Sequence, residues 1–455
     1  GVEGGFDYAV SGAFRTTDGV PTSRFGTREL GAENAAVSGR FVYAFNETFR
    51  LRAVGRYVTT NADTNAQNFN FGTPHYGFVV DGTERYESEA FYGLVAADLS
   101  LLGGAWTHTL TLQGTDGNRH NFNAGALSAA TEGSRLKLSY VTAYAFGGAD
   151  FRSTITGAID YKEEHYQNTG PGLNAAQALE REVDNTGFVL QYDALIGDNA
   201  GIGLAVRHDQ NDRFQDATTY RLQGAYAFDF GLRLHAAAGS GIKNPTVTEL
   251  FGFNPNTFIG NPNLKPERSE GWEAGAEYAF LDGRAAIDVT YFDNTLKDEI
   301  YTNFTPSFIS TPANRLTESK EKGVEISARL LAGEAWRVFA SYTYLDAVEN
   351  NVEEVRRPPH IGSVNVSYVD PDGRFSGTLT VRYNGETFDS NFTGIGPSRI
   401  RLADYTLVNV SADARVSDTV RVFARVENLF DADYEDVYTF RTPGRAVYAG
   451  VRAGF

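Results

Sequence analysis

Apolar and polar residues alternate at every second position along most of this chain. In residues 446–455 every odd position is apolar, whereas the even positions include Arg452 and two glycines. The same period of two recurs in four further segments: 285–291, 324–330, 375–383 and 420–427. Successive side chains of a β-strand point to opposite faces, whereas a helix would repeat its apolar positions about every 3.6 residues. The pattern therefore predicts strands that each have one apolar and one mixed face.

The connections between these strands alternate between short turns and long polar segments. The short turns lie at 46–47, 102–104, 146–149, 197–200, 229–230, 281–283, 332–334, 370–373 and 416–418. The long segments cover 60–85, 115–131, 164–181, 242–269, 297–314, 346–359, 388–399 and 431–444. Soluble β-sandwiches also have two-sided strands, but short turns at one end and long loops at the other are typical of outer-membrane barrels. We therefore predict a large antiparallel transmembrane β-barrel with short periplasmic turns and long extracellular loops.

Aromatic residues concentrate beside the short turns. They are Phe41, Tyr43, Phe45, Phe49, Trp106, Tyr144, Phe146, Phe151, Tyr226, Phe228, Phe230, Tyr278, Phe280, Trp336 and Phe339. Membrane barrels carry aromatic girdles at their interfaces, so this set is assigned to the periplasmic girdle. About twenty strands follow one another from Phe6 to Phe455, and no Pro- or Ser-rich linker divides them. The predicted fold class is all-β, with a single barrel domain.

Composition removes several classes of protein. The chain has no Cys and no Met, and its formal net charge is −17. Without Cys it has no disulfide scaffold, no Cys-ligated zinc, no iron–sulfur cluster and no thiol nucleophile. The acidic balance argues against nucleic acid as a partner, because phosphates require a basic surface. No stretch approaches about 18 consecutive apolar residues, so a transmembrane helix is not expected.

Three segments carry a family resemblance. Lys243–Gly252 (KNPTVTELFG) is followed by Gly260–Ser269 (GNPNLKPERS), and Val426–Tyr434 (VENLFDADY) begins just before the last long segment. These strings resemble the signatures of TonB-dependent outer-membrane receptors, and the final strand ends on Phe455 as it does in those receptors. Their order and spacing are most similar to the branch that takes up vitamin B12 and ferric siderophores. The resemblance covers residues 1–455 as a barrel domain.

The resemblance implies parts that these residues do not include. Members of the family carry an N-terminal plug domain and a short TonB-interacting segment before a barrel of about 22 strands. Phe6–Phe14 resembles the third strand of such a barrel. We therefore expect a plug and the first two strands to precede Gly1 in a longer protein.

The function implied by the resemblance is active, TonB-coupled uptake of a large and scarce solute across the outer membrane. A ferric siderophore is the first expectation for that solute, and cobalamin is the second. The expected partners are outer-membrane lipid and TonB, the latter reached through the missing N-terminal region, and the barrel is expected to be a monomer. Two alternatives stay open: a passive, porin-like channel, and a surface barrel whose loops bind phage or bacteriocins.

The long loops supply the candidate ligand residues, because binding concentrates in loops held on a rigid scaffold. The candidates are aromatic residues of two loops: Phe69, Phe71, Tyr76, Phe251, Phe253 and Phe258. Their rings could stack on a siderophore or a corrin, or they could pack among the loops themselves. Arginines are also expected in the lumen, namely Arg382, Arg421, Arg425 and Arg452. They could hold a plug or attract an anionic chelate, and ordinary filling of a polar lumen also accounts for them.

No residue pattern indicates catalysis. The sequence contains no P-loop, nucleophile elbow or HExxH motif. Carboxylate pairs such as Glu163–Glu164 and Glu353–Glu354 are interpreted as solvated charge. The seven histidines, His165 among them, show no metal-ligand spacing. We therefore expect no enzyme activity, no resident cofactor and no metal site.

Overall fold

The structure, a computed structural model, describes residues 1–255, 257–307, 309–394, 396 and 398–454. It is dominated by β-strands, most of which belong to one large antiparallel sheet. In chain order the strands are β1 (Val2–Glu3), β2 (Phe6–Thr17), β3 (Ala32–Ala44), β4 (Phe49–Asp63), β5 (Ala66–Gln67), β6 (Val79–Val80), β7 (Arg85–Leu101), β8 (Trp106–Asn123), β9 (Ala126–Gly147), β10 (Phe151–Asn168), β11 (Arg181–Ile196), β12 (Ala200–Asn211), β13 (Ala217–Ala227), β14 (Leu232–Lys243), β15 (Phe253–Asn254), β16 (Phe258–Ile259), β17 (Glu267–Phe280), β18 (Ala285–Lys297), β19 (Ile300–Phe304), β20 (Ser310–Asn314), β21 (Ser319–Ala332), β22 (Trp336–Glu349), β23 (Val352–Glu353), β24 (His360–Val369), β25 (Phe375–Asn384), β26 (Thr387–Asn391), β27 (Ser398–Leu402), β28 (Tyr405–Arg415), β29 (Val420–Glu427) and β30 (Ala446–Ala453). A short helix, α1 (Val247–Phe251), and a 3-10 turn, Leu102–Gly104, are the helical elements of the described residues.

The large sheet contains 22 strands and follows the order of the chain. Two of them, β1 and β23, are two residues long, and the other twenty have 8 to 22 residues, in agreement with the predicted number. Each long strand pairs antiparallel with the next long strand. Every predicted short turn joins two of these strands at one end of the sheet. The long loops lie at the other end, which we therefore assign to the extracellular side.

The register divides the sheet into an apolar face and a polar face. Ile155, Ile159 and Leu190 share one face and are 43%, 42% and 63% exposed. Asp160 lies on the opposite face of the same strand and is buried. Antiparallel residues directly opposite each other point to the same side, so the register carries this division around the sheet. A broad band of exposed apolar side chains requires lipid, so the apolar face is the membrane-facing surface.

The two ends of the sheet return to each other, so the sheet curls into a barrel. The loop after β2 and the loop before β30 meet where Ser23 bridges Phe440 and the Arg441 amide donates to the Thr22 carbonyl at 2.8 Å. Within the described residues, no ladder joins β2 to β30 themselves. Outward side chains beside this seam are correspondingly open: Val10 is 66% exposed and Val451 is 67% exposed.

One loop prediction is wrong. The segment 115–131 is predicted as a long loop, but β8 runs on to Asn123 and β9 begins at Ala126. The two strands are joined by Ala124 and Gly125 with φ of 50° and 79°, as a tight two-residue hairpin turn requires. Beyond the membrane both faces of a strand meet water, so the apolar–polar alternation that marks strands in the sequence is lost there.

The periplasmic girdle is confirmed except at one position. Trp106 and Tyr144 are directly opposite each other on the outer face. Phe339 instead lies opposite Arg329 on the inner face, because it is an odd number of residues from the outward Trp336. Phe455, which the resemblance places at the end of the last strand, lies outside the described residues. None of the helices in the described part of the chain is long and apolar enough to cross a membrane.

Candidate ligand site at the extracellular mouth

Two extracellular loops, 18–31 and 64–84, are locked together. Ser23 is fully buried, and its Oγ donates to the carbonyl of Val79 at 2.9 Å. The carboxylate of Asp81 accepts the two successive amides at positions 27 and 28 at 2.7 and 2.8 Å. These bonds satisfy loop backbone groups that no regular ladder pairs. The two loops therefore form one continuous surface.

A buried carboxylate connects two more loops to this surface. Asp389 in β26 is fully buried, and one of its oxygens accepts the amide of Tyr438 at 2.7 Å. The other oxygen accepts from Nε of Arg356 at 2.7 Å and from the amide of Ser390 at 2.7 Å. Asp389 thus ties the β26–β27 hairpin to the loop before β30 and to the loop after β23.

Aromatic side chains from four loops meet on this surface. They form what we call the mouth cluster: Phe25, Phe69, Phe71, His75, Tyr76, Phe78, Phe392 and Tyr438. The rings of Phe25 and His75 stack with centroids 3.9 Å apart. Phe69 meets Phe392 edge to face at 6.1 Å. The edge-to-face pair lies at a separation at which aromatic rings attract each other beyond simple burial of area.

Three predicted ligand residues belong to the mouth cluster. Phe69 and Phe71 each approach Tyr76 edge to face, at 6.3 and 5.8 Å. Phe71 is 80% exposed, and Phe69 is half exposed. Exposed ring faces on a fixed surface can stack on a flat apolar ligand.

The other aromatic residues of the mouth cluster were not predicted from the sequence. Phe25 lies in the loop 18–31, which is absent from the predicted long segments, and Phe392 and Tyr438 lie in loops that no aromatic argument singled out. The loop 18–31 could have been recognised in the sequence from its turn-forming residues Asp18, Gly19 and Pro21. Contacts between loops that are distant in sequence leave no local signal.

The other predicted residues, Phe251, Phe253 and Phe258, form a separate group in the loop 244–266. Phe251 closes helix α1, and the guanidinium groups of Arg181 and Arg213 lie over its ring at 5.0 and 4.6 Å. All three rings are only partly exposed. In the described residues, no hydrogen bond or ring contact joins this group to the mouth cluster.

The buried Asn168 holds the backbone of this second group in place. Its side-chain amide donates to the Phe251 carbonyl at 3.1 Å, and its Oδ1 accepts the Phe253 amide at 3.2 Å. Helix α1 begins with a capping box between Thr246 and Glu249. These contacts favour a packing role for Phe251 and Phe253, whereas the mouth cluster keeps open ring faces.

A neutral tyrosine lies in the loop before β30. Burial, followed by the nearby Asp436 carboxylate, raises the pKa of Tyr434 above its ordinary value. Its ring lies against Tyr405, with centroids 4.6 Å apart. The loop therefore presents an uncharged hydroxyl across physiological pH.

The four predicted lumen arginines do lie on the inner face. The register of their strands places all four on the face that carries Asp413: Arg382, Arg421, Arg425 and Arg452. Asp413 pairs with Arg421 and with Arg452, the latter at 3.4 Å. Arg425 lies over the ring of Tyr448 at 4.3 Å. Arg425 also pairs with Glu427 at 3.1 Å, so three of the four arginines have a carboxylate partner within the wall.

The opposite wall has its own buried ion network. Arg207 lies between Asp160, at 2.8 Å, and Asp209, at 2.6 Å. Both aspartates are less than a tenth exposed. Lys137 also approaches Asp160 at 3.5 Å. The lumen is thus lined with paired charges of both signs, as in a barrel whose interior is polar.

The class of this barrel follows from its sheet, its loops and its sequence together. Residues 2–429 match the profile of a family described as "TonB dependent receptor-like, beta-barrel". The chain belongs to this family, whose members are outer-membrane transporters and receptors rather than enzymes. It is therefore an outer-membrane β-barrel.

Individual relatives add detail to this class. The vitamin B12 transporter BtuB of Photobacterium profundum is 30% identical over 299 residues, which are 65% of this chain and 46% of that protein. The aligned part thus spans about half the length of that relative. The siderophore receptor PirA of Acinetobacter baumannii superimposes with a TM-score of 0.80 at 14% identity, covering 100% of this chain and 76% of PirA. A mutant of the ferric enterobactin receptor PfeA of Pseudomonas aeruginosa gives 0.77 at 17% identity, with coverage of 100% and 76%. These structures are alike in fold.

Proposed function

We propose that the protein containing this barrel takes up a large, scarce solute across the outer membrane by TonB-coupled transport. The mouth cluster carries the proposal, because it joins rings from four loops on one fixed surface at the extracellular end of a barrel of this family, with Phe25, Phe69 and Phe71 exposed. A ferric siderophore is the first candidate for the solute, and cobalamin is the second. Relatives named as a B12 transporter and as siderophore receptors support this choice of candidates.

We also propose that a plug domain and two further strands complete the transporter. The open seam between β2 and β30 supports this, since unpaired strand edges are liabilities in a membrane. A plug in the lumen would contact TonB on the periplasmic side and close the channel at rest. The assembled barrel is proposed to act as a monomer.

Uptake in whole cells tests the proposal. Cells that carry the full-length protein should accumulate a labelled ferric siderophore or labelled cobalamin, and accumulation should fall to background when TonB is deleted. Binding to the cell surface in the cold should persist, because capture by the loops precedes the energised step. Uptake that continues without TonB and under energy poisons would contradict the proposal and favour a passive channel.

The mouth cluster gives a residue-level prediction. Phe71→Ala should weaken ligand binding by about fivefold, because a stacked aromatic ring contributes roughly 1 kcal/mol. Phe71 is 80% exposed, so its removal should leave the barrel stable. Phe230→Ala is the matched control: this ring is 64% exposed but lies at the periplasmic end. Equal binding by both variants in a titration of purified receptor would remove Phe71 from the site.

A further inference from the structure

A group of carboxylates surrounds one histidine on the outer face of the barrel, above the membrane. Tyr161 of β10 is the last aromatic residue of the lipid-facing band on its strand, and Glu163 and His165 follow it on the same face. The register sets Asp184 opposite Glu163 and Glu182 opposite His165 on β11. Residues directly opposite on an antiparallel pair share a face, so these side chains lie together on a rigid part of the sheet.

The contacts within this group orient the possible metal ligands. Nδ1 of His165 lies 3.2 Å from a carboxylate oxygen of Glu180, and Nε2 lies 2.6 Å from Oε1 of Glu163. The hydroxyl of Tyr161 donates to the other oxygen of Glu163 at 3.1 Å. One atom from each of Glu163, His165 and Glu182 lies within 4.8 Å of the others.

The arrangement contains both possible metal ligands and residues that orient those ligands. A metal-binding histidine usually gives its second ring nitrogen to a carboxylate, which fixes its tautomer, and Glu180 holds that position here. Tyr161 fixes the Glu163 carboxylate in the same way. Glu163, His165 and Glu182 then converge from two neighbouring strands. Because they come from both strands of a hairpin, their spacing in the sequence does not resemble the histidine pairs of common metal motifs.

The surrounding charge favours a cation. On the outer face of β8 to β11 at this level, the ionised side chains are acidic, with Asp116 and Glu132 added to those already named. The basic residues of the same strands at this level occupy the alternate, inner-face positions, where Arg135 and Lys162 pair with Glu164 and Lys137 approaches Asp160. His165 alone does not balance the negative charge of the outer face.

We propose that Glu163, His165 and Glu182 bind one divalent transition-metal ion of the zinc type, with Glu180 and Tyr161 as supporting residues. Imidazole and carboxylate ligands suit such ions, and three protein ligands leave room for water. The site differs from the ligand surface of the mouth cluster and does not depend on the proposed function. It fastens the base of the loop 169–180 to β10, because Glu180 belongs to that loop.

Metal titration of the purified barrel tests the site. Zn²⁺ measured by calorimetry, and Co²⁺ measured by its visible spectrum, should bind to the wild type with an affinity that His165→Gln and Glu182→Gln lower by more than about tenfold. His208→Gln is the matched control, since His208 lies on the same face but contacts Thr218 at 2.9 Å rather than carboxylates. Gel mobility before and after heating verifies that each variant is folded.

A second measurement follows the accessibility of the loop 169–180 to protease rather than the binding of metal. Zn²⁺ should slow tryptic cleavage after Arg181 in the wild type and in His208→Gln, but not in Glu182→Gln. Equal metal affinity in the wild type and in His165→Gln would overturn the site, as would a wild-type barrel that binds no ion beyond the level of its His165→Gln variant. In the latter case the cluster is an ion pair of imidazolium with carboxylates.

Discussion

Asp389→Asn should loosen the extracellular loops without unfolding the barrel. The carboxylate is fully buried and accepts from Arg356, Tyr438 and Ser390, all at 2.7 Å. Hydrogen bonds to a charged partner contribute about 1.5–3 kcal/mol each, and an unpaired buried donor costs a similar amount. Asparagine keeps one acceptor oxygen but loses the charge and the second acceptor. The population of open loops should therefore rise by about one to two orders of magnitude.

Hydrogen exchange measures this change directly. Amides of the β26–β27 hairpin and of the loop before β30 should lose protection in Asp389→Asn, whereas those of β9 and β10 should not. Glu386→Gln is the control, since its ion pair with Arg401 at 3.1 Å joins two exposed side chains and such pairs contribute little. Unchanged protection around Tyr438 would show that other contacts hold the loops.

The barrel could be predicted from the sequence because its membrane-spanning part obeys one physical rule. Lipid on one side and a polar lumen on the other force a period of two, and tight turns require few residues. The rule fails beyond the membrane, where water lies on both sides. This is why β8 and β9 extend through a segment predicted as a loop. The inward Phe339 obeys the period of two, but it was assigned to the girdle because it lies near a short turn, without regard to its odd separation from Trp336.

The candidate site was predicted only in part, for a related reason. Aromatic residues in a long loop indicated Phe69, Phe71 and Tyr76, and the structure brings these three together. Phe25 and Phe392 join them through loop contacts that span most of the chain, and no local pattern encodes such contacts. The group around Phe251 shows the reverse: the same residue type in a long loop is partly covered by Arg181 and Arg213.

The cluster around His165 shows what a search by spacing overlooks. Glu163 is two residues away in sequence, but Glu182 arrives through the register of β10 and β11. Glu163 was interpreted as solvated charge, which is correct for an isolated carboxylate. The neighbours of Glu163 on the outer face can be identified only once the register of β10 and β11 is known. That register is fixed by the lipid-facing apolar residues of the same two strands.

Leu190→Arg should have the largest effect on the stability of the barrel. Leu190 lies on the lipid face of β11, opposite Gly157, and is 63% exposed. An arginine on the lipid face near the middle of the bilayer costs about 2–4 kcal/mol, because its charge cannot be solvated there. The barrel should therefore unfold at a lower denaturant concentration in lipid vesicles and fold with a lower yield.

The neighbouring Gln191 provides the control, because it points to the other side of the same strand. Its side-chain amide already donates to Asp193 at 2.6 Å, so an arginine at position 191 would find a carboxylate and the polar lumen. Gln191→Arg should shift the unfolding midpoint little. If both substitutions destabilised the barrel equally in vesicles, the assignment of the outer face to lipid would be wrong. Suppose instead that only Leu190→Arg destabilises the barrel, and that the difference between the two variants is smaller in detergent micelles than in vesicles. The alternation in the sequence then reflects lipid on the outer face and water in the lumen.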